Sequence, residues 1–147
     1  MFMKPIKAGQ SWTTYILSSL LENWSASRAS GATPLPALIQ LAHRLGISSI
    51  SAAAFGSAFN LAEACLGRPL SVKRCCSEDL PAGEQALIHM LKASGPGQAN
   101  GAALGAASSE LLDALVVATT SARRLLAPQE HELDRLWHTV QVARLSH

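Results

Sequence analysis

The stretch "SISAAAFGSAFNLAEACLG", Ser49 to Gly67, sets Phe55, Phe59, Ala62 and Leu66 at spacings of three and four. Side chains so spaced share one face of an α-helix, whereas a half-buried strand needs strict alternation. The stretch therefore reads as one helix from about Ser49 to Leu66, stopped by Gly67. Ala52, Ala53, Gly56 and Ala58 keep it slim enough for neighbours to approach closely. An apolar stripe is buried only against another element, so the chain has to supply partner helices.

The rest of the sequence supplies them. A first helix is predicted from about Ser11 to Ser25, with Ser11 as cap and Trp12, Tyr15, Ile16, Leu20, Leu21 and Trp24 facing inward. "SRASGATP" breaks it. A second begins at Pro34 behind Thr33 and ends near Gly46, with Leu35, Leu38, Ile39, Ala42 and Leu45 as its stripe. A fourth runs from about Asp79, its N-cap, to Ala93, with Pro81 in the first turn and Leu87, Met90 and Leu91 buried. "SGPGQANGAALG" is a flexible loop near 94–107. A fifth helix starts at Ser108 or Ser109, buries Leu111, Leu112, Leu115 and Val116, and carries Arg123 and Arg124 late, where the helix dipole favours them. Pro128 is expected to separate it from a last helix carrying Leu133, Leu136, Trp137 and Val140. Only "RPLSVKR" suggests extended chain, near 69–74. The fold class is all-α: a single-domain bundle of five to six helices over 1–147, with at most that one short extended segment.

Composition narrows the function classes. Charged residues are 15% and hydrophobic residues 48% of the 147, so the surface is poor in charge and suits a protein partner or self-association. Twelve basic and ten acidic residues are spread along the chain, without the lysine and arginine tracts that drive phosphate contacts, which argues against nucleic acid. Lys4 and Lys7 precede "WTTYILSSLL", but Trp12, Ile16, Leu20 and Trp24 recur every fourth residue, a helical face rather than a signal-peptide core. No run approaches the roughly 18 to 20 apolar residues of a membrane span. Three cysteines in no repeating pattern suit a reduced cytoplasm better than a disulfide scaffold.

Two places hold candidate chemistry. Cys75 and Cys76 follow Lys73 and Arg74 at the mouth of the fourth helix, where positive neighbours and a helix N-terminus favour thiolate. Glu78 and Asp79 oppose that effect. Adjacent thiols are candidate soft-metal ligands, although zinc sites pair ligands two to four residues apart, and Cys65 reads as a small buried hydrophobe. In "HELDRLWH" the histidines are seven apart rather than four, so the zinc-protease pattern fails. Glu130, Asp134 and His138 share a helical face that reads as solvated. The glycines of "GPGQANG" follow a helix and lack a Gly-Lys-Ser/Thr ending, so they read as linker. No catalytic residue, reaction or cofactor is assigned. Trp12, Tyr15 and Trp24 are the candidate partner-binding residues, being the aromatic types that anchor interfaces.

Gly46 to Leu91 combines a Gly-Ile turn, a helix rich in Ala and Phe, the Cys75–Cys76 pair and a glutamate in the first turns of the next helix. In this it resembles a family of small helical bacterial proteins to which no activity is attached. The resemblance implies a bacterial cytoplasmic protein and a purpose for the cysteine turn. Two functions are expected on these grounds: a non-enzymatic interaction or assembly module, or a thiol-based redox or soft-metal sensor using Cys75 and Cys76.

Overall fold

Two glycines stop the first two helices in the same way. The N–H of Ala32 reaches Ser27 O (2.9 Å) and that of Gly31 reaches Arg28 O (3.2 Å); Ile47 and Gly46 repeat the pair on Ala42 O (2.8 Å) and His43 O (3.1 Å). Gly31 and Gly46 have φ of 76° and 79°. This is the Schellman closure, in which a left-handed residue just past the helix lets the last carbonyls find donors. In the second turn Ile47 and Ala42 are both buried, which supplies the apolar contact that accompanies the motif.

The computed structural model describes residues 12–72, 80–92 and 108–145, with side chains at 13–72, 80–92, 108–127 and 135. Five helices form among them: α1 (Trp12–Ala29), α2 (Pro34–Arg44), α3 (Ser49–Leu66), α4 (Ala82–Lys92) and α5 (Ser109–Leu145). The described residues contain no strand, so the fold is all-α; residues 69–72 are irregular, and 73–74 lie outside the described residues. The expected loop near 94–107 and the proposed Asp79 cap also lie outside them.

Three boundaries differ from expectation. α4 begins at Ala82 rather than about Asp79, with Leu80 and Pro81 ahead of it and the Gln85 N–H bonded to Pro81 O. α1 runs to Ala29 rather than Ser25, because Arg28 is drawn onto α3 by an ion pair with Glu63 and the helix continues to its glycine closure. α5 passes through Pro128 without ending. A proline removes one backbone donor and crowds the preceding turn. Good helix formers stand on both sides, in "SARRLLA" and "QEHELDRL", so the two predicted helices are one.

The core draws on all five helices: Ile16, Leu20 and Trp24 from α1, Leu38 from α2, Phe55 and Phe59 from α3, Leu87 and Leu91 from α4, and Leu115, Ala122 and Leu126 from α5. α3 packs most extensively along α5, while α1 lies against α2, α4 and α5. A relay of hydroxyls fixes one end of the α3–α5 contact. Ser48 Oγ accepts from the N–H of Ser51 (3.2 Å) and donates to Ser51 Oγ (3.0 Å), which donates to Leu125 O (3.4 Å). Ser48 is thus both the N-cap of α3 and the start of a tie to α5. Ser48→Ala is expected to cost about 1 kcal/mol, the usual loss for an N-cap hydroxyl, measurable as a lower urea midpoint with unchanged slope.

Candidate functional site

The polar chemistry of the described residues gathers where α3 ends and the chain turns toward α4. Glu63, in the last turn of α3, is part-buried and has four donors. Trp24 Nε1 reaches it at 3.2 Å, the N–H of Leu70 at 3.0 Å, and Arg28 through Nε (3.2 Å) and an Nη at 2.8 Å. Arg28 also donates to Asn60 Oδ1 (3.1 Å) and holds its guanidinium 5.4 Å from the Trp24 ring centroid. A charged acceptor shared by an arginine, an indole and a backbone amide is a satisfied one.

A second carboxylate stands beside it. Glu84, in the first turn of α4, is wholly buried, yet Arg68 meets it with two parallel bonds of 2.8 Å. This bidentate fork is the geometry that makes arginine–carboxylate pairs strong. Glu84 also accepts the N–H of Ser71 at 2.8 Å, and Arg68 donates to Pro69 O at 3.0 Å. Hydrogen bonding to Glu84 raises the Arg68 pKa further above its ordinary value, against the lowering effect of burial. Two consecutive amides, of Leu70 and Ser71, are therefore held by carboxylates from two different helices. Beyond the connection, Gln85 Nε2 donates to Leu80 O at 2.7 Å. Residues on either side of 73–79 are thus fixed to neighbouring residues of α4.

The residues proposed from sequence fall elsewhere. Cys75 and Cys76 lie outside the described residues, as do Lys73 and Arg74. Cys65 is buried, and burial pushes its thiol pKa up, toward the unreactive neutral form. Trp24 is 1% exposed and Tyr15 is buried, so as placed these two rings are interior packing, not surface anchors; a helix carrying one face of large apolar groups turns that face inward. Burial also raises the Tyr15 pKa, opposed by a hydrogen bond with Ser19. Trp12 begins α1, and its side chain lies outside the described residues, as do those of Glu130, His131, Asp134 and His138. His43 and His89 are exposed. Among the described residues no three of His, Cys, Asp and Glu come together as a metal site, and no helix is long and apolar enough to cross a membrane.

The glutamates carrying this arrangement had a faint signal in the sequence. Glu63 stands four residues after Phe59 and Glu84 three before Leu87, so each lies along a buried stripe, where a charge needs a partner. Which arginine answers which carboxylate depends on the turn between the helices.

Among the described residues, large aliphatic groups left in solvent stand on α2, α3 and α5. Ile50 is 70% and Val117 65% exposed, with Leu35 and Leu125 partly so. Because Ser51 Oγ is bonded to Leu125 O, Ile50 and Leu125 belong to the same end of the α3–α5 contact. Comparison of the chain with protein-family models, with curated proteins and with solved structures gives no match.

Proposed function

We propose that the protein is a small helical interaction or assembly module, binding another protein or a second copy of itself rather than catalysing a reaction. The exposed pair Ile50 and Leu125 at one end of the α3–α5 contact carries this reading. A branched aliphatic side chain that is 70% in water on an ordered helix gains by being covered. The charge content of 15% points the same way. The contact surface in this reading is the α3–α5 end and not the buried rings of Trp24 and Tyr15. Three unpatterned cysteines support a cytoplasmic protein and the scatter of basic residues one that does not bind nucleic acid; a bacterial source is supported by the resemblance over Gly46 to Leu91 alone.

The test compares the wild type with an Ile50→Glu/Leu125→Glu variant by light scattering over a concentration series and by quantitative pull-down. The expected result is association that the variant loses at unchanged helix content. A wild type that stays monomeric and captures the same proteins as the variant sinks the proposal.

A second reading, a thiol-based redox or soft-metal sensor at Cys75 and Cys76, is favoured by one observation: Ser71 and Leu80, flanking 73–79, are both tied to the start of α4. A change at the thiols would be felt by a helix. Cys75 and Cys76 should then alkylate at least about tenfold faster than buried Cys65, whose raised pKa withholds thiolate. Equal, slow labelling together with a metal-free native mass spectrum would remove this reading.

A further inference from the structure

The connection Gly67–Val72 is fastened unusually. Its amides at Leu70 and Ser71 go to side-chain carboxylates, which can rotate away, rather than to backbone carbonyls. One of its side chains, Leu70, is buried, whereas Gly67, Arg68 and Pro69 are exposed and Ser71 and Val72 intermediate. Arg68 is itself part of the connection and bonds back to Pro69 O, while its partner Glu84 belongs to α4. Arg68 is 42% exposed and Glu84 is 0% exposed.

We propose that this connection is a strap that opens as a unit, latched by Arg68 on Glu84, while the helical core stays closed. When the strap lifts, Arg68 leaves with it into water it already touches, and the gap admits water to Glu84. Both charges are then rehydrated. This differs from deleting one partner, which strands the other in the interior: the net worth of a buried pair is small because desolvation opposes attraction, although removing one member is costly. The apolar surface uncovered is that of two side chains, Leu70 and the partly buried Val72. Local openings of this kind involve few buried apolar contacts and run below the global unfolding free energy. The second fastening is independent of the latch, since Glu63 holds Leu70 N and is itself held by Arg28 and Trp24. Leu70 N therefore keeps a partner when the latch alone parts, and Ser71 is the first of the two amides to be freed.

Amide hydrogen exchange tests the strap on the full chain. In the wild type, Ser71 and Leu70 are expected to exchange at least about tenfold faster than Leu20, Leu38 and Phe59, with Ser71 ahead of Leu70. Raising the salt from low to high concentration should speed Ser71 further, because opening separates paired charges and screening weakens their attraction, and should leave the core amides unchanged. The variant Arg68→Met/Glu84→Leu removes both charges without stranding either; it should keep slow core exchange while Ser71 becomes faster still and insensitive to salt. Strap and core amides exchanging at one common rate in the wild type, or Ser71 exchange that salt does not alter, would overturn the proposal.

Discussion

Trp24→Ala is expected to lower the unfolding free energy by about 4 kcal/mol, the usual range for removing a fully buried large aromatic ring. The ring is 1% exposed and sits edge-on to Phe59, with centroids 5.4 Å apart and planes at 62°, an arrangement worth something beyond buried area. Its Nε1 donates to Glu63, and its face carries the Arg28 guanidinium. The substitution thus opens a cavity between α1 and α3 and removes one of the donors of a part-buried carboxylate. Against a typical total of roughly 5–15 kcal/mol this is a large fraction, so urea denaturation followed by circular dichroism should show a much lower midpoint. Trp24→Phe separates the two contributions. It keeps most of the ring volume and leaves Glu63 to Arg28 and Leu70, and should cost about 1–2 kcal/mol. A Trp24→Ala protein as stable as the wild type would contradict the placement of α1 against α3.

Arg68→Ala is expected to cost about 3 kcal/mol, at the lower end for breaking a buried ion pair, because the exposed arginine leaves an edge that water can reach. The physical cause is Glu84, which stays in a wholly buried position with the N–H of Ser71 as a donor. Removing both charges as Arg68→Met/Glu84→Leu should recover most of the loss. The recovery stops about 1 kcal/mol short, since the N–H of Ser71 loses its acceptor. Stability measurements on the two variants under one buffer decide the matter: equal losses would mean that Glu84 without its arginine carries no penalty.

How the helices were legible and the site was not has a physical basis. The span of α3 matches its apolar periodicity at both ends, because periodicity and a terminal glycine are local signals. The misplaced boundaries of α1 and α5 depend on longer-range terms. The last turn of α1 is held by Arg28 on Glu63, 35 residues away, and the passage of α5 through Pro128 sets one lost backbone bond against good helix formers on both sides. Trp24 and Tyr15 are legible as members of the inward stripe of α1, and their burial agrees with it; their second reading, as partner anchors, rests on residue type alone, because a helical wheel identifies the face and the neighbouring helices decide what it meets. The pairing of Glu84 with Arg68 spans 16 residues and a turn, a juxtaposition that no spacing rule encodes. Adjacent cysteines are a rare pattern, whereas the ionic fastening between Arg68 and Glu84 is made of residues of common type.

The paired Schellman closures bear on which letters the chain can change. A side chain at a φ near +76° or +79° costs most L-amino acids roughly 1–2 kcal/mol, and nothing lies within 4 Å of where a Cβ on Gly31 would stand. The penalty at that position is conformational, not a matter of room. Around these two fixed points the exposed neighbours Ala32, His43 and Arg44 contribute their backbone groups or nothing at all to the turn, and so are free to vary. The joints between the first three helices are thus specified by two glycines, which leaves the surface about them open to whatever charge or shape a partner selects.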